Sequence, residues 1–402
     1  MGNLSDPFNR PIRVLEILEA TTGGTRRHLY YLLTHLDTGR FSVSLVYSDL
    51  RDPHFAKDLE TFAARGIELI EVPMRREISP FDDLASFLRI ARIIHRGRFD
   101  IVHAHSSKAG FLGRLAARLL GVPAVIYSPH SFAFQYNPHG LRGALYRSLE
   151  RIGGKFHHKM LCVSEGERKV AGENRICPIE TLHTLCNTIP RETMKAVRLP
   201  AEVRRSLGIP ESCPIVGTVA QFRPQKGLSH FVNAMPGILE RCPDVRFLIV
   251  GDGPLFGEVR EQIRGMGLDK RAILAGHQEH TPDFYQVMDV FVSSSLWEGM
   301  PYVILEAMAM GLPIVATDTV GNNELVTHEK NGLLVPPENP SAIADAVGDV
   351  LCDSDRRIRY THESRYMASN LPTLQEWIAR YEEFYRSNCP SMSLKVGSTR
   401  LT

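Results

Sequence analysis

The chain has 402 residues, of which 43% are hydrophobic and 23% charged, with 31 Gly and 25 Pro. This composition excludes a disordered, collagen-like or disulfide-stabilised small protein, and the length predicts two domains because single cores rarely grow beyond about 250–300 residues. The net charge of +2 does not favour nucleic-acid binding. Residues 1–190 nevertheless carry 25 Lys+Arg against 19 Asp+Glu, which favours an anionic partner for this half: a phosphorylated acceptor or an anionic membrane surface.

The seven cysteines contain no CxxC pair, which is typical of reduced thiols and does not predict zinc. No apolar run resembling a signal peptide precedes the first predicted strand, and no stretch of 18 apolar residues occurs. We therefore expect a cytoplasmic protein that can associate peripherally with the inner face of the plasma membrane.

The first half of the chain alternates short apolar segments with amphipathic ones. A strand at 12–18 is followed by a Gly23-Gly24 turn and a helix to Leu36. Further strands are predicted at 41–47, 67–72, 100–105, 123–128 and 160–164. Strands alternating with helices of this length predict a parallel sheet covered on both faces.

The periodicity lapses over 187–213, which contains three prolines and is interpreted as the interdomain connection. It then resumes with strands at 214–220, 245–250, 271–276, 288–295 and 312–317. We predict a first domain at 1–188, a second at 189–372, a C-terminal helix at 373–388 that packs back on the first domain, and a loose tail at 389–402. Pro236 should kink the helix predicted around it.

The segment 293–317 is the most specific part of the sequence. Glu298 precedes a helix predicted to begin near Pro301, and Glu306 lies inside that helix. The backbone amides at the start of the helix predict an anion site. Because five residues rise about 7.5 Å along a helix, the two carboxylates can flank a diphosphate and accept hydrogen bonds from sugar hydroxyls.

A second element, QFRPQKG at 221–227, follows a predicted strand directly. Its Arg223 and Lys226 can both reach phosphate oxygens and can stabilise the charge that develops on a diphosphate leaving group without a metal ion.

These motifs, with GDGP at 251–254 and the early glycine pair, resemble the retaining glycosyltransferases of family 4 over about residues 12–386. The resemblance implies the α/β GT-B fold, in which two Rossmann-like doubly wound domains face a cleft. It implies an acceptor site on the first domain, a nucleotide-sugar site on the second, and no metal ion.

By this resemblance, Glu306 holds the ribose, Glu298 the donor sugar, and Arg223 with Lys226 the diphosphate. The catalytic set is Glu298, His130, Arg223 and Lys226. The remaining donor-binding positions are Gly251, Gly299, Met300, Pro301 and Tyr302. No cofactor is expected beyond the substrate itself, a UDP-sugar or another nucleotide-diphosphate sugar.

The segment 100–134 is similar to the members of this family that build bacterial surface polysaccharides on lipid carriers. The resemblance places His130 close to the transferred sugar, where a neutral imidazole can donate a hydrogen bond. His103 and His105 share a strand face and are assigned to the acceptor side. Their spacing permits metal binding, but no third ligand is evident, so hydrogen bonding at the strand end is favoured.

Gly23 and Gly24 are also assigned to the acceptor side, because glycine lets the backbone approach a ligand closely. Arg26 either meets an acceptor phosphate there or is solvated. The segment 139–160 holds five Lys/Arg and one Glu among apolar residues, which suits either an anionic membrane surface or packing on its own sheet.

The sequence leaves four alternatives to this assignment. A UDP-sugar 2-epimerase or an inactive binding subunit could share the architecture, but the first needs acid/base carboxylates that are not obvious here. Gly251, Gly253 and Gly257 approximate a dinucleotide fingerprint with one residue too many. Asp353 and Asp355 spell a metal-binding DxD motif, but they lie between helical segments and are interpreted as a solvated turn.

Overall fold

A computed structural model describes residues 10–50, 55–136 and 139–389. The chain divides into two compact units: the first runs to Asn187 and includes the segment from Leu374 onward, and the second is Thr188–Thr373. The boundaries predicted from the sequence each lie one residue from these.

The first unit contains a seven-stranded sheet. Its strands are β1 (Ile12–Leu18), β2 (Phe41–Tyr47), β3 (Glu68–Glu71), β4 (Ile101–His105), β5 (Ala124–Ser128), β6 (Lys159–Cys162) and β7 (Leu182–Thr184). Its helices are α1 (Gly23–His35), α2 (Phe55–Ala64), α3 (Pro80–Gly97), α4 (Ser107–Leu119), α5 (Leu141–Gly153) and α6 (Glu165–Glu173), to which the end of the chain adds a last helix, Leu374–Asn388. The strand order is β3-β2-β1-β4-β5-β6-β7, and all pairs are parallel.

The second unit contains a six-stranded sheet. Its helices are α7 (Pro200–Ser206), α8 (Leu228–Arg241), α9 (Phe256–Gly265), α10 (Pro282–Tyr285), α11 (Tyr302–Ala309), α12 (Asn322–Leu325), α13 (Pro340–Cys352) and α14 (Ser354–Ser369), so the helix at Leu374–Asn388 is α15. Its strands are β8 (Ile215–Val219), β9 (Arg246–Val250), β10 (Ala272–Gly276), β11 (Val290–Ser293), β12 (Ile314–Thr317) and β13 (Gly332–Val335). The order is β10-β9-β8-β11-β12-β13, again all parallel.

The prediction of two parallel α/β sheets is confirmed, whereas several short elements were missed, among them two strands and one helix described next. β7 has three residues at the sheet edge and β13 has four, so neither produces a recognisable apolar run. The predicted irregular connection contains α7, which begins at Pro200, a residue suited to the first helical position. Pro236 lies within the single helix α8.

The core of the first unit depends on the end of the chain. α15 packs with α1 and α2 over one sheet face, while α3 and α4 cover the other. The α15 contribution repeats at helical spacing and so forms one buried face: Leu374, Trp377, Ile378, Tyr381 and Tyr385. Cys389, assigned to a loose tail by the sequence, is buried against the same cluster, so that assignment is wrong at this residue. Residues 390–402 lie outside the described part of the chain.

Among the described residues, no helix combines the length and hydropathy that crossing a bilayer requires. Asp353 of the DxD-like triplet caps α14, because its side chain accepts a hydrogen bond from the Arg356 amide at 2.9 Å.

Candidate active site

Each sheet has one point at which the chain changes direction along the strand order. In the first unit this point lies between β1 and β4, and in the second between β8 and β11. The connections on either side of such a point lie on opposite faces of the sheet, which leaves a crevice at the carboxyl ends of the two strands. The loops after these four strands carry most of the predicted site residues.

In the second unit, an ion pair joins the loops after β8 and β11. Lys226 Nζ lies 2.5 Å from Glu298 Oε1, and Ser295 Oγ donates to the same oxygen at 2.6 Å. Gln225 Nε2 donates to Glu298 Oε2 at 3.3 Å. The side chains of Lys226 and Glu298 are 18% and 6% exposed. At such a site, opposite charges interact more strongly than in bulk water.

Glycine makes this contact between the two loops possible. Arg223 precedes a 3-10 turn, Pro224–Lys226, that ends at Gly227 with a φ of 56°. A Cβ at Gly227 would lie 2.2 Å from the carbonyl oxygen of Ser294, so no other residue fits without moving the backbone.

The loop after β9 approaches in the same way. Gly251 has a φ of 131°, and a Cβ there would lie 2.0 Å from the carbonyl oxygen of Ala220. The GDGP motif therefore serves close packing of the loops after β8 and β9, which places Gly251 beside the segment that leads to Arg223.

α11 begins beyond the ion pair, with Pro301 at its N-cap. Gly299, Met300 and Tyr302 are buried around this start. The amides of the first helical turn lack partners within the helix, so they form a potential anion site. Glu306 is buried one turn further on, and its Oε2 accepts a hydrogen bond from the Tyr285 hydroxyl at 2.8 Å.

In the first unit, Gly23 and Gly24 are exposed at the start of α1, and Gly23 has a φ of 61°. Arg26, one turn later, binds Asp58 through two hydrogen bonds of 2.6 and 2.9 Å. The sequence analysis offered an acceptor phosphate or solvent for Arg26. The structure instead provides an internal carboxylate partner.

His103 and His105 are fully buried within the first unit. His105 Nε2 lies 2.8 Å from Glu16 Oε2, and His103 Nδ1 lies 2.7 Å from the Tyr385 hydroxyl. Tyr385 in turn donates to Glu16 Oε1 at 2.8 Å, and His103 Nε2 lies 2.9 Å from Ser128 Oγ. Glu16 is thus the buried group that accompanies the two histidines, and it was not identified from the sequence. Both histidines form hydrogen bonds inside the unit, and their assignment to the acceptor side stays a prediction.

Burial keeps the histidines of this face uncharged. Together with the neighbouring His105, it lowers the pKa of His28 to about 3. Burial, with the nearby imidazoles, also holds the pKa of His103 and of His130 well below the ordinary value. These rings therefore act as neutral donors and acceptors near pH 7.

His130 follows β5 in an unusual backbone conformation. Its φ is 55° and that of Ser131 is 94°, a region that side chains other than glycine rarely adopt. The Glu167 carboxylate fixes this turn, since it accepts the amide of Ser131 at 2.5 Å and that of Val163 at 2.8 Å. The His130 ring is tethered separately: its Nε2 lies 2.9 Å from His105 Nδ1.

Segment 139–160 contains α5, which presents an apolar stripe to solvent. Leu141, Leu145 and Ile152 are exposed and fall within about 40° of one another around the helix axis. Exposed Arg142 and Arg151 flank the stripe.

The only acidic residue of this segment, Glu150, points inward. It accepts hydrogen bonds from Arg114 at 3.1 Å and from the Tyr127 hydroxyl at 2.9 Å. The exposed face of α5 is therefore basic and apolar.

Comparison with known proteins identifies the family of the chain. The family described as Glycosyltransferase Family 4 matches residues 22–192, and that described as Glycosyl transferases group 1 matches residues 213–353. The UDP-Gal:alpha-D-GlcNAc-diphosphoundecaprenol alpha-1,3-galactosyltransferase of Escherichia coli is 32% identical over 282 residues, which cover 69% of this chain and 73% of that protein.

The chain belongs to glycosyltransferase family 4.

The fold of this glycosyltransferase is GT-B. The structure of Anabaena Alr3699/HepE in complex with UDP-glucose matches with a TM-score of 0.77 at 21% identity, over 94% of this chain and 100% of that one. WaaG, a glycosyltransferase involved in lipopolysaccharide biosynthesis, matches with a TM-score of 0.74 at 15% identity, over 92% and 99% of the two chains.

Sequence reasoning missed three residues that organise the site of this glycosyltransferase: Glu16, Glu167 and Tyr285. Glu16 did leave a signal, because it is the one carboxylate inside the apolar strand IRVLEIL and is buried there. Such a residue requires buried partners. Glu167 lies in a polar helix and Tyr285 in a short one, so neither stood out before the contacts were known.

Proposed function

We propose that this enzyme is a retaining glycosyltransferase that moves a sugar from a UDP-sugar to a hydroxyl of a lipid-linked glycan, without a metal ion. The observation that carries the proposal is the Lys226–Glu298 ion pair at the strand reversal of the second sheet. The pair places a cation suited to a diphosphate beside a carboxylate suited to a sugar hydroxyl.

The leaving group needs positive charge. Negative charge develops on the diphosphate as its bond to the sugar breaks, and Lys226 together with Arg223 would stabilise it. Lys226 can turn from Glu298 to a phosphate oxygen with little movement, because its side chain is already held in the loop. The first amides of α11 would bind a second phosphate oxygen.

The two carboxylates would orient the donor. Tyr285 donates to one oxygen of Glu306 and so orients the carboxylate, which would accept a hydrogen bond from a ribose hydroxyl. Glu298 would accept from a hydroxyl of the transferred sugar. Both roles require ionised, acceptor-only carboxylates.

Retention of configuration would follow from attack on the face that the leaving group vacates. The acceptor oxygen forms a bond to the anomeric carbon while the bond from that carbon to the diphosphate oxygen breaks. The departing phosphate oxygen takes the acceptor proton. Catalysis then rests on orientation and on stabilisation of the leaving group.

Uracil is the proposed base of the donor nucleotide, because two similar proteins are described with a UDP-sugar. The E. coli relative is named for UDP-Gal, and the Anabaena structure contains UDP-glucose. The E. coli relative is also named for a diphosphoundecaprenol-linked acceptor, which supports a lipid-linked acceptor here.

A thermal-shift series would test the donor assignment. We expect UDP and UDP-sugars to raise the melting temperature in the presence of EDTA, with GDP and ADP much weaker, because a ligand at about 100 times its Kd adds about 2.7 kcal/mol of stability. Lys226→Ala should lose the shift, whereas the exposed control Lys270→Ala should keep it. A stronger shift with GDP or ADP would contradict the proposed base.

The anomeric configuration of the product, read by NMR from a transfer reaction, would test retention. An inverted product would reject the mechanism. Loss of transfer in EDTA, restored by a divalent cation, would reject metal independence.

A lipid-linked acceptor requires access to a membrane surface, and α5 is the proposed contact. Its apolar stripe can enter the interface, while the flanking arginines can bind anionic headgroups at about 1 kcal/mol each. The enzyme would then act on the cytoplasmic face of the plasma membrane.

Vesicle co-sedimentation would test this contact. We expect binding to phosphatidylglycerol vesicles at low salt and little binding to phosphatidylcholine vesicles. The triple variant Leu141→Ser, Leu145→Ser and Ile152→Ser should not pellet, whereas the exposed control Ile358→Ser should pellet like the parent. Equal pelleting of the triple variant would remove α5 from the proposal.

A further inference from the structure

The first sheet contains a buried chain of hydrogen bonds that runs from Glu16 to His130. Glu16 Oε2 lies 2.8 Å from His105 Nε2, and His105 Nδ1 lies 2.9 Å from His130 Nε2. Glu16 and His105 are fully buried, whereas His130 is partly exposed. The chain therefore links a carboxylate of the interior to a histidine that can reach solvent.

The direction of each hydrogen bond follows from counting protons. An ionised carboxylate only accepts, so His105 Nε2 must carry the proton shared with Glu16. A His105 ring that carries this one proton has a bare Nδ1, which can only accept. His130 Nε2 must therefore carry the proton in the next bond, which leaves His130 Nδ1 bare.

The surrounding groups agree with this assignment. Tyr385 donates its hydroxyl proton to Glu16 Oε1, so it takes no proton from the chain. His28 packs against the His130 ring, with ring centres 4.6 Å apart, and has its own partners in Asn187 Oδ1 and the Tyr381 hydroxyl. His28 therefore does not compete for a proton of the chain.

We propose that Glu16 and His105 are positioning residues for His130: they fix its tautomer so that it presents a bare Nδ1, a hydrogen-bond acceptor, to the substrates. This inference rests on the proposed function, in which His130 faces the transferred sugar. It changes the role expected for His130, because an acceptor binds a sugar hydroxyl proton rather than donating to developing charge.

The substitution Glu16→Gln makes the chain testable, because it changes charge and donor capacity but hardly changes shape. Tyr385 should keep donating to the amide oxygen, which turns the amide nitrogen toward His105 Nε2. His105 Nε2 must then accept, His105 Nδ1 must donate to His130 Nε2, and His130 must carry its proton on Nδ1. The single substitution Glu16→Gln should thus invert the tautomers of both His105 and His130.

Long-range proton–nitrogen NMR of the full-length protein labelled with ¹⁵N-histidine would read these tautomers near neutral pH. The His130 signals are assigned by their loss in His130→Asn. We expect a protonated Nε2 and a bare Nδ1 in the parent, and the reverse in Glu16→Gln. The matched control Glu150→Gln removes a buried carboxylate that touches neither His105 nor His130, and it should leave the His130 tautomer unchanged.

Transfer kinetics add a readout that a purely structural role would not produce. With a UDP-sugar donor, Glu16→Gln should lower kcat about tenfold, as loss of one hydrogen bond predicts, while Glu150→Gln should retain kcat within about threefold. If no UDP-sugar is turned over but the tautomers invert, the proposed function fails and the positioning chain stands.

Three results would overturn the inference. The first is that His130 of the parent protein is protonated at Nδ1. This result alone would overturn the inference, even if Glu16→Gln does not fold. The second is an unchanged His130 tautomer in folded Glu16→Gln. The third is one equivalent of zinc in the purified protein that is lost in His103→Asn, because a metal ion bound to Glu16 and His105 would replace the protons on which the chain depends.

Discussion

The two units of this glycosyltransferase place polar groups at the same point of the same kind of sheet but use opposite chemistry. In the second unit a charged pair, Lys226 and Glu298, lies at the edge of the interior. In the first unit the equivalent position between β1 and β4 holds imidazoles that are buried and uncharged. The sheet thus determines where a site forms, and the loops and strand ends determine what it binds.

Under the proposed function, the contrast has an electrostatic reason. A diphosphate carries charge that must be met by mobile cations near solvent, whereas a sugar hydroxyl is neutral and is best oriented by fixed donors and acceptors. The first unit can therefore bury its polar groups completely, provided that each hydrogen bond is satisfied.

Removing the cation of the second unit should have the largest effect. We expect Lys226→Ala to lower kcat about 10²–10³-fold, the usual loss when one group that stabilises developing charge is deleted. The exposed Lys270→Ala is the control. Steady-state release of UDP measures the effect, and turnover within threefold of the parent would show that the ion pair is only structural.

Breaking the buried network of the first unit should instead reduce stability. Tyr385→Phe removes the hydroxyl that joins Glu16 to His103. Leaving both groups short of a partner should cost about 1–3 kcal/mol of unfolding free energy. Urea unfolding checks this, with Tyr366→Phe on the exposed surface as control. A change below about 0.5 kcal/mol would mean that the bonds are not maintained in solution.

The neutral histidines predict a pH dependence confined to the first unit. The pKa of His28 is about 3 in the folded protein and 6.5 ordinarily. Above pH 6.5, His28 therefore contributes no pH dependence to the stability. Below it the unfolded chain binds a proton that the native state refuses, and stability falls by about 1.4 kcal/mol per pH unit.

Replacing His28 by Gln should therefore flatten the decline in stability between about pH 6.5 and 5. Urea unfolding at a series of pH values measures the slope, and the exposed His362→Gln should leave it unchanged. An unaltered slope in His28→Gln would mean that this ring is protonated in the folded protein.

The smallest effect is expected at the DxD-like triplet of the second unit. Asp353→Ala should destabilise α14 by about 1 kcal/mol through loss of its cap and leave transfer unchanged, with or without added Mg²⁺. Loss of turnover at unchanged stability would assign the triplet a role in the reaction.

Much of this organisation could be predicted from the sequence, because it follows from local patterns. The alternation of apolar and amphipathic segments predicted both sheets, and the family resemblance assigned Lys226 and Glu298 to one donor site. Their direct pairing was not predicted.

The histidine network could not be predicted in the same way. Its partners are distant in sequence, with Glu16 89 residues before His105 and Tyr385 282 residues after His103. The spacing of His103 and His105 indicated that they share one face of a strand, but not which element covers that face. The decisive neighbour, Tyr385, comes from α15: the sequence predicted that this helix packs on the first domain, but not which of its side chains would meet His103.

Helix α15 also imposes an order of events on biosynthesis. It is the last described helix to leave the ribosome, yet it completes the core of the unit made first. During translation the sheet face that carries Glu16 and His103 can be covered by α1 and α2 but lacks α15 until the entire second unit has been synthesised. The N-terminal half therefore cannot finish folding as it emerges, and a chain that stops before α15 leaves unsatisfied polar groups and aromatic partners in contact with water.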